Sequence, residues 1–419
     1  MLESSWKWQS SSASLWRSGK DWTALRTLSG LVEDEALVAA LEPELIILRR
    51  HLHAHPELSW QEHRTQAHVA SWLRDRGIET RTTAGTGLVV DLPGSGEPVL
   101  YRGDMDALPV RDTKDPAAVP YASTTPALCH ACGHDVHTTV AAGVAAVLHG
   151  LGAARERAAR IVFQPAEEVI PSGAERVAED GELQGVAAGL ALHVDPSMDV
   201  GHVGMRAGPI TSATDTFAVT VRGKSGHSAR PHLSHDAVLA ASEVVRALYT
   251  VVGQAVDPLE PAVLVVGRIE GGTATNVIAA QVALEGTVRT LSVSMRETLH
   301  DAMRAAATHA AALWGCTAET RFTLGAPPVR NDEALLANVR SAAVEVLGEA
   351  GVLALPRASM GAEDFGVFSD WMPTAMIRLG CRTPGTPARH LHEEGFDLDE
   401  RCIAIAVRTM VRALLRAGR

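Results

Sequence analysis

Apolar positions recur along the chain with two periods, and the period in force at each stretch predicts its element. Leu45, Leu48 and Leu52, with Ile46 beside them, fall three and four residues apart and predict an amphipathic helix over about Glu42 to His53. Ala67 to Arg76 reads as a second helix, closed by Gly77, a residue suited to a helix C-terminus. Short β-like runs with Gly and Pro punctuation follow at Gly87 to Leu92 and Val99 to Tyr101. An Ala-rich helix over Val136 to Leu148, a strand Ile161 to Phe163, a helix Gly173 to Ala178 and a strand Gly189 to Leu192 continue the alternation. Alternating strands and helices imply an α/β fold with a mostly parallel sheet.

The rhythm changes after Gly208-Pro209. Strand Thr216 to Val221, helix Ala237 to Val251, strands Ala262 to Ile269 and Gln281 to Val288, helix Val293 to Leu313 and strand Glu319 to Leu324 spell β-α-β-β-α-β, the order of a ferredoxin-like α+β unit. Beyond Ala326-Pro327-Pro328, helix Asp332 to Leu347, strand Ala375 to Leu379 and helix Arg401 to Leu415 resume the α/β pattern. The expected organisation is therefore an N-terminal extension over 1–30, a first catalytic part over 31–209, an inserted domain over 210–326 and a second catalytic part over 327–419. The extension holds Trp6, Trp8, Trp16 and Trp22 without a regular period and receives no fold.

Composition narrows the function. The 419 residues exceed what one domain comfortably holds at roughly 150 residues each. With 46% hydrophobic and 21% charged residues, the chain has ample material for a core. Lys and Arg number 38 against 49 Asp and Glu, a net charge of −11 that repels nucleic acid and anionic lipid. No apolar run approaches the roughly 20 residues of a membrane helix, and residues 1–30 lack an apolar signal-peptide core. Five cysteines, odd in number and mostly scattered, do not form a disulfide framework. A soluble cytoplasmic protein with free thiols is the expectation.

Candidate chemistry concentrates in five places. In Cys129-His130-Ala131-Cys132-Gly133-His134-Asp135-Val136-His137, Cys132 and His134 could bind a zinc-like metal from one tight loop, while a Cys-x-x-Cys redox or structural turn is the plainer alternative. His130 and His137 read as supporting or surface residues. Phe163-Gln164-Pro165-Ala166-Glu167-Glu168 puts two carboxylates just past an apolar strand, where parallel sheets gather their sites; one could hold metal while the other shuttles protons. His193 follows another strand, and His392 sits in His390-Leu391-His392-Glu393-Glu394. Asp104 and Asp106, after Val99 to Tyr101, suit support of a metal-bound histidine.

RGDMDALPV, HACGHDVHTT, FQPAEE, ALHVDP, GHSARPH, GTATNVIAA, GAEDFGVF and LHEEGF occur in the order found in the aminoacylase-type metallopeptidases, and over about residues 45 to 415 the chain resembles their hippurate hydrolase and auxin-conjugate amidohydrolase branch. The resemblance implies a di-metal catalytic domain interrupted by a ferredoxin-like lid through which homodimers form. It implies two divalent ions, Zn, Mn, Co or Ni, on Cys132, His134, Glu168, His193 and His392, with the Cys132 thiolate the candidate bridge. It makes Glu167 the general base. His227, in Gly226-His227-Ser228, would reach a neighbouring subunit's site to stabilise the oxyanion, with Asn276 nearby, and Arg289 would hold a substrate carboxylate, a task suited to a planar guanidinium; a strand-face arginine on the lid surface is the plainer reading. Gly103 stands where relatives commonly have Ala, and Val169-Ile170-Pro171-Ser172 where they have a Gly-rich stretch.

The implied reaction is hydrolysis of the amide of an N-acyl amino acid: a metal-activated water attacks, Glu167 takes its proton and then delivers it to the leaving amine. A dipeptidase or N-acetyl-diaminopimelate deacetylase on the same site, a non-catalytic binding protein on the same scaffold, and a thiol redox protein using Cys129 and Cys132 are the alternatives.

Overall fold

The computed structural model describes residues 33–125, 127–152 and 156–417; the tryptophan-rich stretch lies outside them. Helix α1 (Glu33–Ala54) starts earlier than the periodicity predicts. Leu37, Val38 and Leu41 are buried and extend the stripe of Leu45, Leu48 and Leu52 towards the N-terminus. Pro43 is accommodated inside the helix. Helix α2 (His63–Arg74) buries Thr65, Val69 and Leu73 along one face.

There follow β1 (Arg81–Thr83), β2 (Gly87–Leu92), β3 (Ser95–Asp104), α3 (His134–Leu151), β4 (Arg157–Gln164), α4 (Gly173–Glu179), β5 (Ala188–Asp199) and β6 (Val203–Met205). The chain then forms β7 (Ala213–Arg222), β8 (Gly226–His227), α5 (Ala237–Ala255), β9 (Ala262–Gly271), β10 (Val277–Ile278), β11 (Gln281–Thr290), α6 (Val293–Ala312) and β12 (Thr317–Leu324). It ends with α7 (Glu333–Leu347), β13 (Val352–Ala354), β14 (Thr374–Arg382) and α8 (Arg401–Arg416). The α/β class read from the pattern is the class observed.

Two compact units divide these elements. The first runs to Met205 and adds Asp332–Ala354 and everything from Trp371. Its sheet has the order β1-β2-β4-β3-β5-β14. β3 is parallel to β4 and β5, and β5 to β14, while β1 and β2 run antiparallel at one edge. Helix α3 packs against α1, α8 and β3 and is buried from His134 to Leu148, so it shows no polar face. Parallel neighbours end on the same side, which brings the C-terminal ends of β3, β4 and β5 together: Asp104 sits opposite Gln164, and Arg102 opposite Ala191.

The second unit comprises Arg206–Asn331 and Leu355–Asp370. Its antiparallel sheet, ordered β9-β11-β7-β12, is joined by α5 and α6 in β-α-β-β-α-β order. Phe217, Val219 and Val221 of β7 alternate inward and pack with Val244 and Leu248 of α5 and Met303 of α6. The segment from Leu355 to Asp370, which the sequence reading gave to the catalytic part, is tied to this unit. Ser359 N–H donates to Ile210 O at 2.9 Å. Arg289 and the Ser212 hydroxyl both donate to Met360 O, at 2.7 and 2.8 Å. Among the described residues, no helix is long and apolar enough to cross a membrane.

Candidate metal centre

Cys132 and His134 flank Gly133, whose φ of +82° turns the chain into α3. A Cβ there would stand 2.5 Å from Val194 Cγ2, so glycine is required by both conformation and space. The turn lays Cys132 and His134 against the end of β5, where Cys132 Sγ is 3.4 Å from His193 Nε2.

Each buried imidazole is oriented through its other nitrogen. His134 Nδ1 donates to Asp106 O at 2.9 Å and stands 3.2 Å from Asp106 Oδ1. His193 Nδ1 donates to Val194 O at 2.7 Å. Both rings therefore direct Nε2 into the cluster, and His134 Nε2 is buried without a hydrogen-bond partner. Glu168 Oε1 lies 3.2 Å from His392 Nε2 and 4.0 Å from His134 Nε2, and Glu167 Oε2 lies 3.9 Å from His134 Nε2.

Cys132, His134, Glu168, His193 and His392 are thus brought into one cluster, with Glu167 beside it. Three overlapping donor sets converge there: Cys132–His134–His193, Cys132–Glu168–His392 and His134–Glu167–Glu168, each with donor atoms within 4.8 Å of one another. Cys132 is common to the first two. The Cys132–His193 and Glu168–His392 separations are close to the roughly 3.3–3.5 Å between two donors sharing one tetrahedral ion. Nitrogen, sulfur and oxygen donors with an orphaned imidazole nitrogen fit a divalent transition ion.

The surroundings explain the electrostatics. Burial works against ionising Asp104, but Arg102, His134 and His137 hold its carboxyl well below the usual range. Burial also opposes charge on Asp106, which is held low by His134, the Glu168 N–H and Ser59. Burial pushes the Cys132 thiol well above its ordinary value, a shift that a bound cation would reverse. His193 is pushed well below its ordinary value by burial, His137 and Arg378, so it stays a neutral donor.

Sequence reading missed several supports. Glu62 Oε1 accepts from Ala166 N–H at 2.9 Å and holds Ala166 at a φ of +52° immediately before Glu167. Arg102 Nε donates to Gln164 Oε1 at 2.9 Å and the same guanidinium pairs with Asp104. Of the two readings offered for His137, supporting and surface, the structure bears out the first: the ring is buried, Nδ1 donates to Asp104 Oδ1 at 2.6 Å while Nε2 accepts from Val194 N–H at 3.0 Å, so neither nitrogen is available to metal. His130 is also buried rather than on the surface. Charged residues inside apolar strands and the repeated histidines were the available signals, but their partners lie too far along the chain for spacing to reveal.

The remaining candidates belong to the second unit. His227 and Asn276 meet where β8 pairs with β10: Val277 is opposite His227, and Ser228 N–H donates to Asn276 O at 3.2 Å. Both side chains are exposed. Ala229 N–H donates to His227 Nδ1 at 3.1 Å, which leaves Nε2 as the protonated nitrogen of the neutral ring. Arg289 lies at the other end of this unit's sheet, opposite Thr214 and Val263.

The family model for peptidase family M20/M25/M40 matches residues 100–416. The chain belongs to peptidase family M20/M25/M40. An M20-family structure, the YXEP protein of Bacillus subtilis, described as a dinuclear metal binding peptidase, superposes with a TM-score of 0.78 at 32% identity, covering 90% of this chain and 98% of that one. Among curated relatives, the N-acetyl-L-cysteine deacetylase of Bacillus subtilis strain 168 is 37% identical over 87% of this chain and 86% of its own length. The N-acyl-L-amino acid amidohydrolase of Geobacillus stearothermophilus is 37% identical over 71% of this chain and 81% of its own.

Proposed function

We propose that this chain is a metal-dependent amidohydrolase that cleaves the linear amide of an N-acyl amino acid. The carrying observation is a carboxylate, Glu167, set beside a five-residue donor cluster whose buried histidines are already turned to present Nε2. Cys132, His134, Glu168, His193 and His392 would hold two divalent ions, which when bound supply Lewis acidity and lower the pKa of water. Glu167 takes the proton of the attacking water and passes it to the departing amine, which cannot leave as an anion. Asp106 keeps His134 and the Glu168 backbone in register through this exchange.

His227, with a free Nε2–H donor, would stabilise the tetrahedral oxyanion in the neighbouring protomer of a homodimer joined through the second unit, with Asn276 beside it. Such a donor is worth roughly 3 kcal/mol. Arg289 would take the substrate carboxylate. Val169 and Ile170, exposed apolar residues directly after Glu168, support an apolar acyl group. Five unpaired buried thiols suit a reducing cytoplasm.

The test is a panel of N-acetyl, N-benzoyl and longer N-acyl amino acids, with dipeptides and N-acetyl-diaminopimelate beside them, assayed with Zn, Mn, Co or Ni. Hydrolysis of N-acyl amino acids that is abolished by chelator and restored by metal is expected. Turnover of dipeptides alone would replace this reading with the peptidase one.

A further inference from the structure

The loop that carries Cys132 holds a second group of donors that the hydrolytic reaction does not use. His53, near the end of α1, places Nδ1 2.7 Å from Asp135 Oδ2, and its Nε2 is buried without a hydrogen-bond partner. Asp112 Oδ2 stands 3.5 Å from that nitrogen. Cys129 brings its sulfur into the same space, so that the three donor atoms lie within 4.8 Å of one another. His53 and Cys129 are both fully buried.

Each donor is fixed from behind. Cys129 exchanges backbone hydrogen bonds with Leu108, at 3.0 and 3.1 Å. Asp112 Oδ2 accepts from Ser123 N–H at 2.9 Å, and Lys114 Nζ is 2.9 Å from Oδ1. Asp135 is held by Arg49 Nε at 2.8 Å. His130 lies alongside, its ring 6.4 Å from that of His53 and both of its buried nitrogens without hydrogen-bond partners.

A nitrogen and an oxygen 3.5 Å apart are too distant for a good hydrogen bond. Two such donors at roughly 2.0–2.1 Å from one tetrahedral ion stand about 3.4 Å apart. His53 also meets the usual condition of a histidine ligand, because its other nitrogen faces a carboxylate that is itself anchored. The competing occupant is a proton, which would make His53 an imidazolium between Asp112 and Asp135. That arrangement pairs Nε2 with Asp112 only at 3.5 Å and gives Cys129 no part. Imidazole, carboxylate and thiolate together select a zinc-type ion.

We propose that His53, Asp112 and Cys129 bind a third divalent ion of zinc type, structural in role and separate from the hydrolytic pair. Binding releases the Cys129 thiol proton, and any proton on His53 Nε2, to solvent. The ion ties α1 and the segment after β3 to the loop that runs into Cys132 and His134, and so holds that loop in place.

The full chain is stripped with chelator, reloaded with zinc, desalted and analysed for ions per chain. Wild type should hold one ion more than Cys129→Ser and one more than Asp112→Asn, whatever the hydrolytic centre retains; failure of that centre to load lowers every count equally and leaves the difference intact. Cobalt-loaded Cys132→Ser should keep a thiolate-to-cobalt charge-transfer band that the Cys132→Ser/Cys129→Ser double variant lacks. Equal counts in wild type and both single variants, or a cobalt-loaded Cys132→Ser chain without that band, overturns the third site.

Discussion

The candidate functional residues fall into two groups built in opposite ways. In the first unit, His134 and His193 are buried and locked through Nδ1, and the carboxylates around them are held by Arg102, Ser59 and backbone N–H groups. In the second unit, His227 and Asn276 stand exposed on short paired strands, held mainly by the backbone. Within the first unit the same gradient recurs: the His134 side chain is fully buried, whereas that of His392 is 51% exposed. A centre that must bind cations needs donors fixed before the ion arrives. A group that meets only substrate can stay in water until substrate brings it into play.

The largest effect should come from Glu167→Gln, which keeps shape and removes the proton acceptor. Turnover should fall by about 10²- to 10⁴-fold, with metal content, measured by elemental analysis, near wild type. An active Gln variant would remove Glu167 from the chemistry.

Next comes a matched pair of arginine changes. Arg102→Met leaves the Asp104 carboxylate buried without its cation and should cost about 3–5 kcal/mol in denaturant unfolding. Arg289→Met removes a hydrogen bond to Met360 O and should cost only about 1 kcal/mol while raising KM for carboxylate-bearing substrates. Equal stability losses would erase the contrast between the two groups.

Subunit exchange probes the exposed group directly. Mixing inactive His227→Ala with inactive Glu167→Gln chains should restore up to about half the wild-type activity per heterodimer, since one site then regains both groups. With exchange verified and no activity regained, His227 works within its own chain or the protein does not act as a dimer.

The smallest effect belongs to the stacked histidines His51, His55 and His68, with ring centroids 3.7 and 4.4 Å apart. Burial, then His68, His55 and Arg64, lowers His51 to about 4. The folded state therefore favours the neutral ring. The stability this gives is present above the ordinary value of about 6.5 and is lost as pH falls from there through about 4. For a side chain only partly buried, solvent screening holds the loss to on the order of 1 kcal/mol. His68→Gln should flatten that part of a Tm-against-pH curve, and an unchanged curve would refute the assignment.

Legibility in the sequence followed the distance over which each residue acts. Strand and helix order was readable because periodicity is local; Glu167, Glu168 and His193 drew notice because they follow apolar strands, and Cys132 and His134 because two metal-binding side chain types stand two residues apart across a glycine. Glu62 was invisible because its work is done on Ala166, across the fold, and the pairing of His53 with Asp135 was hidden for the same reason. The span Leu355–Asp370 was misassigned because its contacts to Ile210, Ser212 and Arg289 carry no periodic signature.

The position of β14 has a consequence for how the protein is made. Residues Thr374–Arg382 pair along β5, whose other neighbour, β3, is synthesised far earlier. Until the ribosome has released that late strand, β5 presents an apolar open edge, a template for unwanted strand addition between nascent chains. His392 emerges later still, so the donor cluster cannot be completed during most of translation. Completion of the donor cluster is therefore an event of the nearly finished polypeptide, and truncation before Thr374 leaves the β5 edge unpaired.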